Sequence, residues 1–355
     1  MVADISLARL QTQLLSDVKT KSVKEVVAHF GAMQAQDYSM SKWAIGARMR
    51  SSTDELIEKA LDDGDIIRTH IMRPTWHFVA AEDLHWMLEL TSKNILRMIG
   101  TSGRQLGLDD KIFSKSNEKI QQVLSGKHLT RFELLEILQH SGFKINETRS
   151  SHLLMHAELS GIICNGKICG NQQTYAIIDE RVQKSKHFTK EEALAELAQR
   201  YFTSHGPATL KDFIWWSGLS VADAKNGILL NEKKLISEEI NYQTYYISYS
   251  FKTETIKKNV HLLPAFDEFL IAYKDRSASI HNDFTKHAFT NNGIFRPIVV
   301  VNGQVVGIWK RTVKNNQVSI EINFHQKTPK SFYSEIEREA QHYADFLNKK
   351  LKIKF

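Results

Sequence analysis

The sequence predicts an α+β fold in which small, mostly helical units repeat in tandem and a smaller α+β lobe follows them. Apolar residues recur with helical spacing in groups of three short segments. Each group is followed by β-branched and aromatic residues around a turn signal, which predicts a hairpin. This order occurs at least twice and arguably three times, and it is typical of a winged helix.

The first unit is predicted over residues 1–115. Ser22 begins a helix, because Glu25 three positions later completes a capping box. Thr53 is the predicted N-cap of another helix. The segment 66–78 then changes to a strand pattern and predicts a short hairpin behind the helices.

The pattern recurs in a second unit, predicted over residues 116–187. Thr130 and Glu133 form the next predicted capping box. An Asn-Gly pair at 165–166 stands between two apolar runs and predicts a tight hairpin turn.

A third unit is predicted over residues 188–258, where Thr189 and Glu192 cap the first helix. Residues 259–355 differ in pattern and are predicted to form the C-terminal α+β lobe. We expect a hairpin around the Asn-Gly pair at 302–303 and a closing amphipathic helix after it.

The composition is that of an ordinary globular protein with a basic balance. The 355 residues are 42% hydrophobic and 25% charged, and the net charge is +7. A basic chain suits an anionic partner, most often nucleic acid. We find no signal-peptide pattern at the N-terminus and no apolar run near the roughly 18 residues that span a bilayer. We therefore expect a cytoplasmic protein without a membrane partner.

The two cysteines, Cys164 and Cys169, lack the spacing of a zinc set. We expect them on facing strand positions, in a protein from a reducing compartment. The sequence has no phosphate-binding glycine loop, no nucleophile elbow and no paired-histidine metal motif. We therefore expect neither a metal nor a cofactor.

Two glutamines, Gln34 and Gln36, stand one residue apart after an apolar helical segment. Side chains at i and i+2 point the same way on an extended segment and in nearly opposite directions on a helix. If this stretch is extended, both amides can face one spot and hold a water and a developing charge there. On spacing alone, two surface glutamines at a joint between helices are the more common arrangement.

Cationic and aromatic side chains near the pair suit a DNA partner. Arg48, Arg68 and Arg73 follow it closely and can contact phosphates, although solvated surface charge is the usual role of any one arginine. The tryptophans can stack on bases, but for Trp215 we expect a place in the hydrophobic core.

Four segments are distinctive in combination: AMQAQ (32–36), RTHIMRPTWHFV (68–79), GPATLKDF with WWSGL (206–219), and LPAFD continued through Arg276 (263–276). Together and in this order they resemble the AlkZ-like family of tandem winged-helix DNA glycosylases. The resemblance implies three winged-helix units around a concave basic channel, with a β-rich C-terminal region. It implies excision of alkylated bases, including the unhooking of interstrand crosslinks made through guanine N7.

The family's catalytic motif is Gln-x-Gln in one branch, and here it falls on Gln34 and Gln36. An N7-alkylguanine already carries positive charge and leaves without a strong general acid. The sugar gains oxocarbenium character, and neutral amide oxygens can place a water and stabilise that cation. No lysine nucleophile is needed, so we predict a monofunctional DNA glycosylase. We expect it to act as a monomer on double-stranded DNA with alkylated bases, without a cofactor.

DNA contact is predicted for five cations: Arg48, Arg68, Arg73, Lys274 and Arg276. The competing interpretation is a non-enzymatic winged-helix transcriptional regulator, since a fold does not settle function. A regulator should prefer one sequence and usually needs a dimer to read two half-sites. A third possibility is a family member that has lost activity and only recognises damage.

Overall fold

The computed structural model describes residues 4–16, 22–183, 187–252 and 259–355. The first part of the chain contains α1 (Ile5–Thr12), α2 (Val23–Phe30), β1 (Ala32–Gln34), α3 (Tyr38–Gly46), α4 (Asp54–Asp63), β2 (Ile66–Ile71) and β3 (Arg73–Ala80). β3 is the central strand of an antiparallel sheet in the order β1-β3-β2. The hairpin predicted over 66–78 is confirmed as β2 and β3.

The next part of the chain begins with a long helix. Its elements are α5 (Leu84–Gln105), α6 (Asp110–Leu124), β4 (Leu129–Thr130), α7 (Arg131–His140), α8 (Glu147–Leu159), β5 (Ile163–Asn165), β6 (Thr174–Ile177) and α9 (Ile178–Arg181). The three strands form a sheet in the order β4-β6-β5.

The tight Asn-Gly hairpin predicted at 165–166 is wrong, because residues 166–173 separate β5 from β6. Gly166 does not turn the chain; its N–H donates to the Thr174 carbonyl at 2.8 Å, and a Cβ on it would collide with the Thr174 side chain. The cysteines do not face each other either. Cys164 is buried opposite Ala176 of β6, whereas Cys169 is exposed in the connection.

The third part repeats the same kinds of elements: α10 (Lys190–Ser204), β7 (Ala208–Thr209), α11 (Leu210–Ser217), α12 (Val221–Leu229), β8 (Leu235–Ile240) and β9 (Gln243–Ser248). In all three parts the order is helix, strand, helix, helix, strand, strand, beginning at α2, α6 and α10. In each sheet the first strand lies beside the third, as in β7-β9-β8.

The C-terminal part is richer in strand. It contains β10 (Val260–Leu263), α13 (Glu268–Ile271), α14 (Thr285–Ala288), β11 (Ile298–Val301), β12 (Gln304–Lys314), β13 (Gln317–Phe324), α15 (Tyr333–Phe346) and β14 (Lys350–Lys354). The hairpin predicted at 302–303 is confirmed as β11 and β12. Strand β14, which the sequence pattern did not predict, pairs in parallel with β13 at the edge of the five-stranded sheet.

Local capping chemistry defines several helix starts. In a capping box the N-cap side chain accepts the backbone N–H of the third helical residue, whose side chain in turn accepts the N-cap N–H. All three predicted capping boxes are confirmed: Ser22 with Glu25, Thr130 with Glu133, and Thr189 with Glu192. These helices therefore begin where the sequence predicts.

Strand β1 lies between two hydrophobic cores. Ala32 packs into a core shared with α5, α10 and α11, whereas Met33 and Ala35 pack into a core shared with the C-terminal sheet and α15. The Trp43 indole N–H of α3 donates to the Leu262 carbonyl at 2.7 Å and ties these parts together. The glutamine segment is therefore held by residues from the whole length of the chain.

Candidate active site

The first glutamine lies at the end of β1. Gly31 ends α2 with a φ of +76°, a conformation that favours glycine, and the chain then enters the strand. Gln34 pairs with His77 of β3, and the next N–H, of Ala35, donates to the Trp76 carbonyl at 2.7 Å. The segment is therefore extended through Gln34, which is the backbone conformation expected for the pair.

Gln34 is nearly enclosed, with 5% of its surface exposed. Its backbone N–H donates to Oε1 of Glu268 at 2.7 Å. Its side-chain Oε1 accepts a hydrogen bond from Nη2 of Arg73 at 2.8 Å. Because a guanidinium carries only donors, the amide oxygen must be the atom that faces it. The amide Nε2, with two N–H donors, is the end of Gln34 that is turned away from Arg73.

Gln36 is exposed and lines a cleft of about 490 Å³ between the first and second repeats. The first repeat also contributes Tyr38, Arg68 and Trp76 to this cleft. From the second repeat the lining residues are Arg131, Glu147, Ser151, Glu158, Asn165, Gln173, Thr174 and Tyr175. The second amide of the pair is therefore accessible to a ligand.

The two amides lie in different surroundings, although an extended segment was expected to turn both toward one spot. Strand pairing places Gln34 on the same sheet face as His77 and Thr69, and this face is buried. Gln36 follows the last strand hydrogen bond, where the chain turns into α3 and leaves the sheet. One glutamine is therefore held inside the protein and the other faces solvent.

Arg68 binds the backbone between the two glutamines. Its Nε and Nη2 donate to the Ala35 carbonyl at 3.0 and 2.9 Å, and its Nη1 donates to Gln173 at 2.7 Å. The guanidinium carbon lies 4.4 Å from the centre of the Trp76 ring, and 9% of the residue is exposed. Three of its five N–H groups are therefore directed at acceptors of the protein, while the residue still lines the cleft.

Arg73 lies behind the first glutamine. Its Nη2, which donates to Gln34, also lies 3.4 Å from Nε2 of His77. The His77 Nδ1 donates to the Thr75 carbonyl at 2.9 Å, so its Nε2 is the acceptor facing Arg73. Burial lowers the pKa of His77 to about 3, and the neighbouring guanidinium acts in the same direction. His77 is therefore neutral near pH 7.

The sequence matches the family model described as DNA glycosylase AlkZ-like over residues 27–346. The chain belongs to the AlkZ-like DNA glycosylase family. The resemblance inferred from the four sequence segments is thereby confirmed.

The AlkZ-like relatives include a curated protein and a solved structure. An interstrand DNA cross-link repair glycosylase from Streptomyces sahachiroi is 23% identical over 352 residues, which cover 95% of this chain and 94% of the relative. The solved structure of Streptomyces sahachiroi DNA glycosylase AlkZ matches with a TM-score of 0.84 at 20% identity and covers 100% of both chains. At this identity the structural likeness establishes a shared α+β fold.

In this AlkZ-like chain Arg48 lies in the interior and is 0% exposed. Its Nη1 and Nη2 donate to the two carboxylate oxygens of Asp267 at 2.9 and 2.8 Å, and its Nε donates to the Gln13 carbonyl at 3.0 Å. The DNA contact predicted for Arg48 is wrong, because a phosphate cannot reach an enclosed guanidinium. Its role is to join α3 to the start of α13.

Lys274 and Arg276, which were also predicted to contact DNA, lie beside an exposed tryptophan. Lys274 Nζ and the Arg276 guanidinium carbon lie 4.7 and 5.6 Å from the centre of the Trp215 ring. Trp215 is 38% exposed, so the core position expected for it is wrong. Successive helical residues point about 100° apart, and α11 buries Trp216 instead. The indole N–H of Trp215 donates to the Ile271 carbonyl at 2.9 Å, which fixes the ring.

Sequence reasoning missed Glu268, the buried carboxylate behind Gln34. Besides the Gln34 N–H, it accepts hydrogen bonds from Trp216 Nε1 at 3.1 Å and His205 Nε2 at 3.2 Å. Burial alone would raise the pKa of Glu268, but the hydrogen bonds and nearby cations outweigh it and hold the pKa below its usual value. The sequence feature that could have identified Glu268 is its position directly after the LPAFD segment.

A second buried carboxylate, Glu158, lies in the cleft wall. It lies 2.5 Å from His70 Nδ1, and its other oxygen accepts the Trp76 indole N–H at 3.3 Å. The His70 and Trp76 ring centres are 4.5 Å apart. Glu158 therefore fixes two rings of the β2–β3 hairpin from the second repeat.

The groups gathered at this AlkZ-like site are amides, guanidiniums, aromatic rings and isolated carboxylates. Within the described residues, no three His, Cys, Asp or Glu side chains converge as metal ligands would. Among the described helices, none is both long and apolar enough to cross a membrane.

Proposed function

We propose that this chain is a monofunctional DNA glycosylase that hydrolyses the N-glycosidic bond of alkylated bases, with N7-alkylguanine as the substrate class. Interstrand crosslinks made through guanine N7 belong to the same class. The observation that carries this proposal is the exposed Gln36 in the cleft between the first two repeats, two residues after a buried Gln34 whose amide is held in one orientation. A relative that covers nearly the whole chain is a crosslink repair glycosylase.

The chemistry needs little beyond a placed water. The electrons of the breaking bond pass to the cationic base, which leaves neutral, and the sugar becomes oxocarbenium-like. Water then adds to the anomeric carbon and releases its proton to solvent. In our proposal the exposed Gln36 oxygen accepts a hydrogen bond from that water and orients it. The N–H donors of Gln34 donate to the same water. No covalent intermediate forms, so the strand stays intact.

We further infer that the three repeats are winged-helix units around a concave basic channel for double-stranded DNA. The boundary predicted between residues 115 and 116 falls inside α6, so we place the start of the second unit at Asp110. The shared element order and the sheet orders β1-β3-β2, β4-β6-β5 and β7-β9-β8 support this inference. Lys274 and Arg276 beside Trp215 are the cations that we propose for DNA contact. We propose that the enzyme acts as a monomer in the cytoplasm, in line with its free cysteines.

The proposal is tested by incubating the full chain with duplex DNA containing N7-methylguanine and measuring the released base by mass spectrometry. Unmodified duplex of the same sequence is the control. We expect free N7-methylguanine, an abasic site and no strand scission. Tight binding to one preferred DNA sequence without any base release would instead favour the transcriptional regulator.

A further inference from the structure

We propose that Arg68 and Arg73 are positioning residues that hold the Gln34-Ala35-Gln36 segment, and that neither contacts a DNA phosphate. This inference rests on the proposed glycosylase function. It separates these two arginines from Lys274 and Arg276, which keep the proposed role in DNA binding.

The side chain of Arg68 reaches across a whole strand to make its contact. Arg68 lies on β2 and Ala35 follows β1, with β3 between them. The guanidinium crosses β3 over the ring of Trp76 and places two N–H groups on the one Ala35 carbonyl. His70 also neighbours that ring, at 4.5 Å between centres. This contact fixes the backbone from which Gln36 enters the cleft.

Arg73 controls the side chain of the first glutamine. The terminal torsion of a glutamine is broad, so an amide without partners rotates freely and can present either end. The Arg73 hydrogen bond selects the orientation in which the amide oxygen of Gln34 points inward. The neutral His77 supplies a ring nitrogen on the same side of the guanidinium. Loss of Arg73 would therefore change which atoms of Gln34 meet the substrate.

The position of each guanidinium argues against a phosphate contact. A phosphate would need N–H donors that face solvent, yet Arg68 directs three of its N–H groups at Ala35 and Gln173. Arg73 directs its Nη2 at the buried Gln34 and His77, and its Nε is enclosed, so two of its three nitrogens are not available to a phosphate. Replacement of either arginine should therefore slow the chemical step while leaving DNA affinity in place.

The test compares Arg73→Met, Arg73→Lys and Arg68→Lys with the wild type. Base release is measured under single-turnover conditions at saturating N7-methylguanine DNA, and duplex affinity is measured over a series of salt concentrations. We expect Arg73→Met to slow release by about tenfold or more, as for loss of a charged hydrogen bond. Its Kd and salt dependence should stay within about twofold of wild type. Arg73→Lys keeps a donor and should recover much of the rate.

Arg68→Lys keeps the charge and the contact with Trp76 but cannot place two donors on one carbonyl. It should therefore slow release without weakening DNA binding. Far-UV circular dichroism and thermal unfolding of each variant establish that it is folded. Lys314→Met, on an exposed residue at the end of β12, serves as the charge-loss control and should match wild type in both measurements.

A double variant decides whether Arg73 acts through Gln34. If it does, Arg73→Met combined with Gln34→Ala should be no slower than Gln34→Ala alone, because both remove the same oriented amide. The positioning role would be overturned if the double variant lost the product of the two single losses in release rate. It would also be overturned if Arg73→Met bound DNA more weakly and with a flatter salt dependence. A wild-type chain that releases no base would overturn the proposed function, and this inference with it.

Discussion

The Glu268 carboxylate accepts the backbone N–H of Gln34 at 2.7 Å, although 234 positions separate the two residues. It is a direct polar contact between the C-terminal part of the chain and the candidate motif. The same carboxylate also accepts N–H groups of His205 and Trp216 from the third repeat. Glu268 therefore connects the motif to two other parts of the protein.

Replacement of Glu268 by glutamine should lower the free energy of unfolding by about 2–4 kcal/mol. The amide keeps the shape but must direct an NH2 group at one of three buried donors. Urea unfolding measures the change, and Glu239→Gln, on the exposed β8, is the control, with an expected effect of no more than about 0.5 kcal/mol. Equal stability of the two variants would contradict the role given to Glu268.

Replacement of Gln36 by alanine should reduce release of N7-methylguanine by about a hundredfold, as for loss of one group that stabilises developing charge. Replacement of Gln34 by alanine should also reduce release, because the water is then less well positioned. The released base is quantified by mass spectrometry at saturating DNA. Gln341→Ala, on the exposed side of α15, is the matched control and should retain full activity. Undiminished release by both site variants would remove the two glutamines from the catalytic assignment.

Replacement of Arg48 by methionine should destabilise the fold by about 3–5 kcal/mol, because it leaves the Asp267 carboxylate buried without its partner. Chemical denaturation gives this value. Addition of Asp267→Asn to the same chain should restore part of the loss, since the unpaired charge is then removed. A flatter salt dependence of DNA binding in folded Arg48→Met would argue for the phosphate contact that its burial excludes.

The buried histidine near Arg73 makes stability depend on pH. The folded-state pKa of His77, about 3, lies below its usual value of 6.5, so the neutral form is favoured by folding. The contribution of neutral His77 to the free energy of unfolding is complete above pH 6.5. It is lost as the pH falls toward 3, because His77 takes up a proton in the unfolded chain before it does so in the folded protein. His77→Gln should therefore show a weaker decline in unfolding free energy between pH 7 and pH 4. Denaturant titrations at several pH values test this, and an unchanged slope would contradict it.

The surface beside Trp215 should contribute to DNA affinity in two separable ways. Lys274→Ala should reduce the salt-dependence slope of duplex binding by about one, as for loss of one phosphate contact. Trp215→Ala should weaken binding at every salt concentration without a change in slope, because a ring carries no charge. Fluorescence anisotropy with labelled duplex measures both effects, and Lys314→Ala is the charge-loss control. Wild-type affinity in both variants would exclude this surface.

Local chemistry made much of the architecture predictable. The pairs Ser22 with Glu25 and Thr189 with Glu192 define helix starts within one turn of chain, and the hairpin at 302–303 depends on two turn residues. The Asn-Gly pair at 165–166 was misleading because Gly166 is needed for close packing against Thr174 and not for a turn. A turn signal does not reveal which neighbour a glycine will meet.

By itself, the sequence determined the family, the repetition of helices followed by a hairpin, and the glutamine motif with its arginines. It did not indicate the short first strand of each repeat, β1, β4 and β7. The tertiary structure decided what each of those side chains does. Arg48 pairs with Asp267 in the interior, and Arg68 binds the Ala35 carbonyl at the wall of the cleft. Such partners come from distant parts of the chain, and the free energy of pairing a buried charge depends on that three-dimensional neighbourhood rather than on adjacent residues.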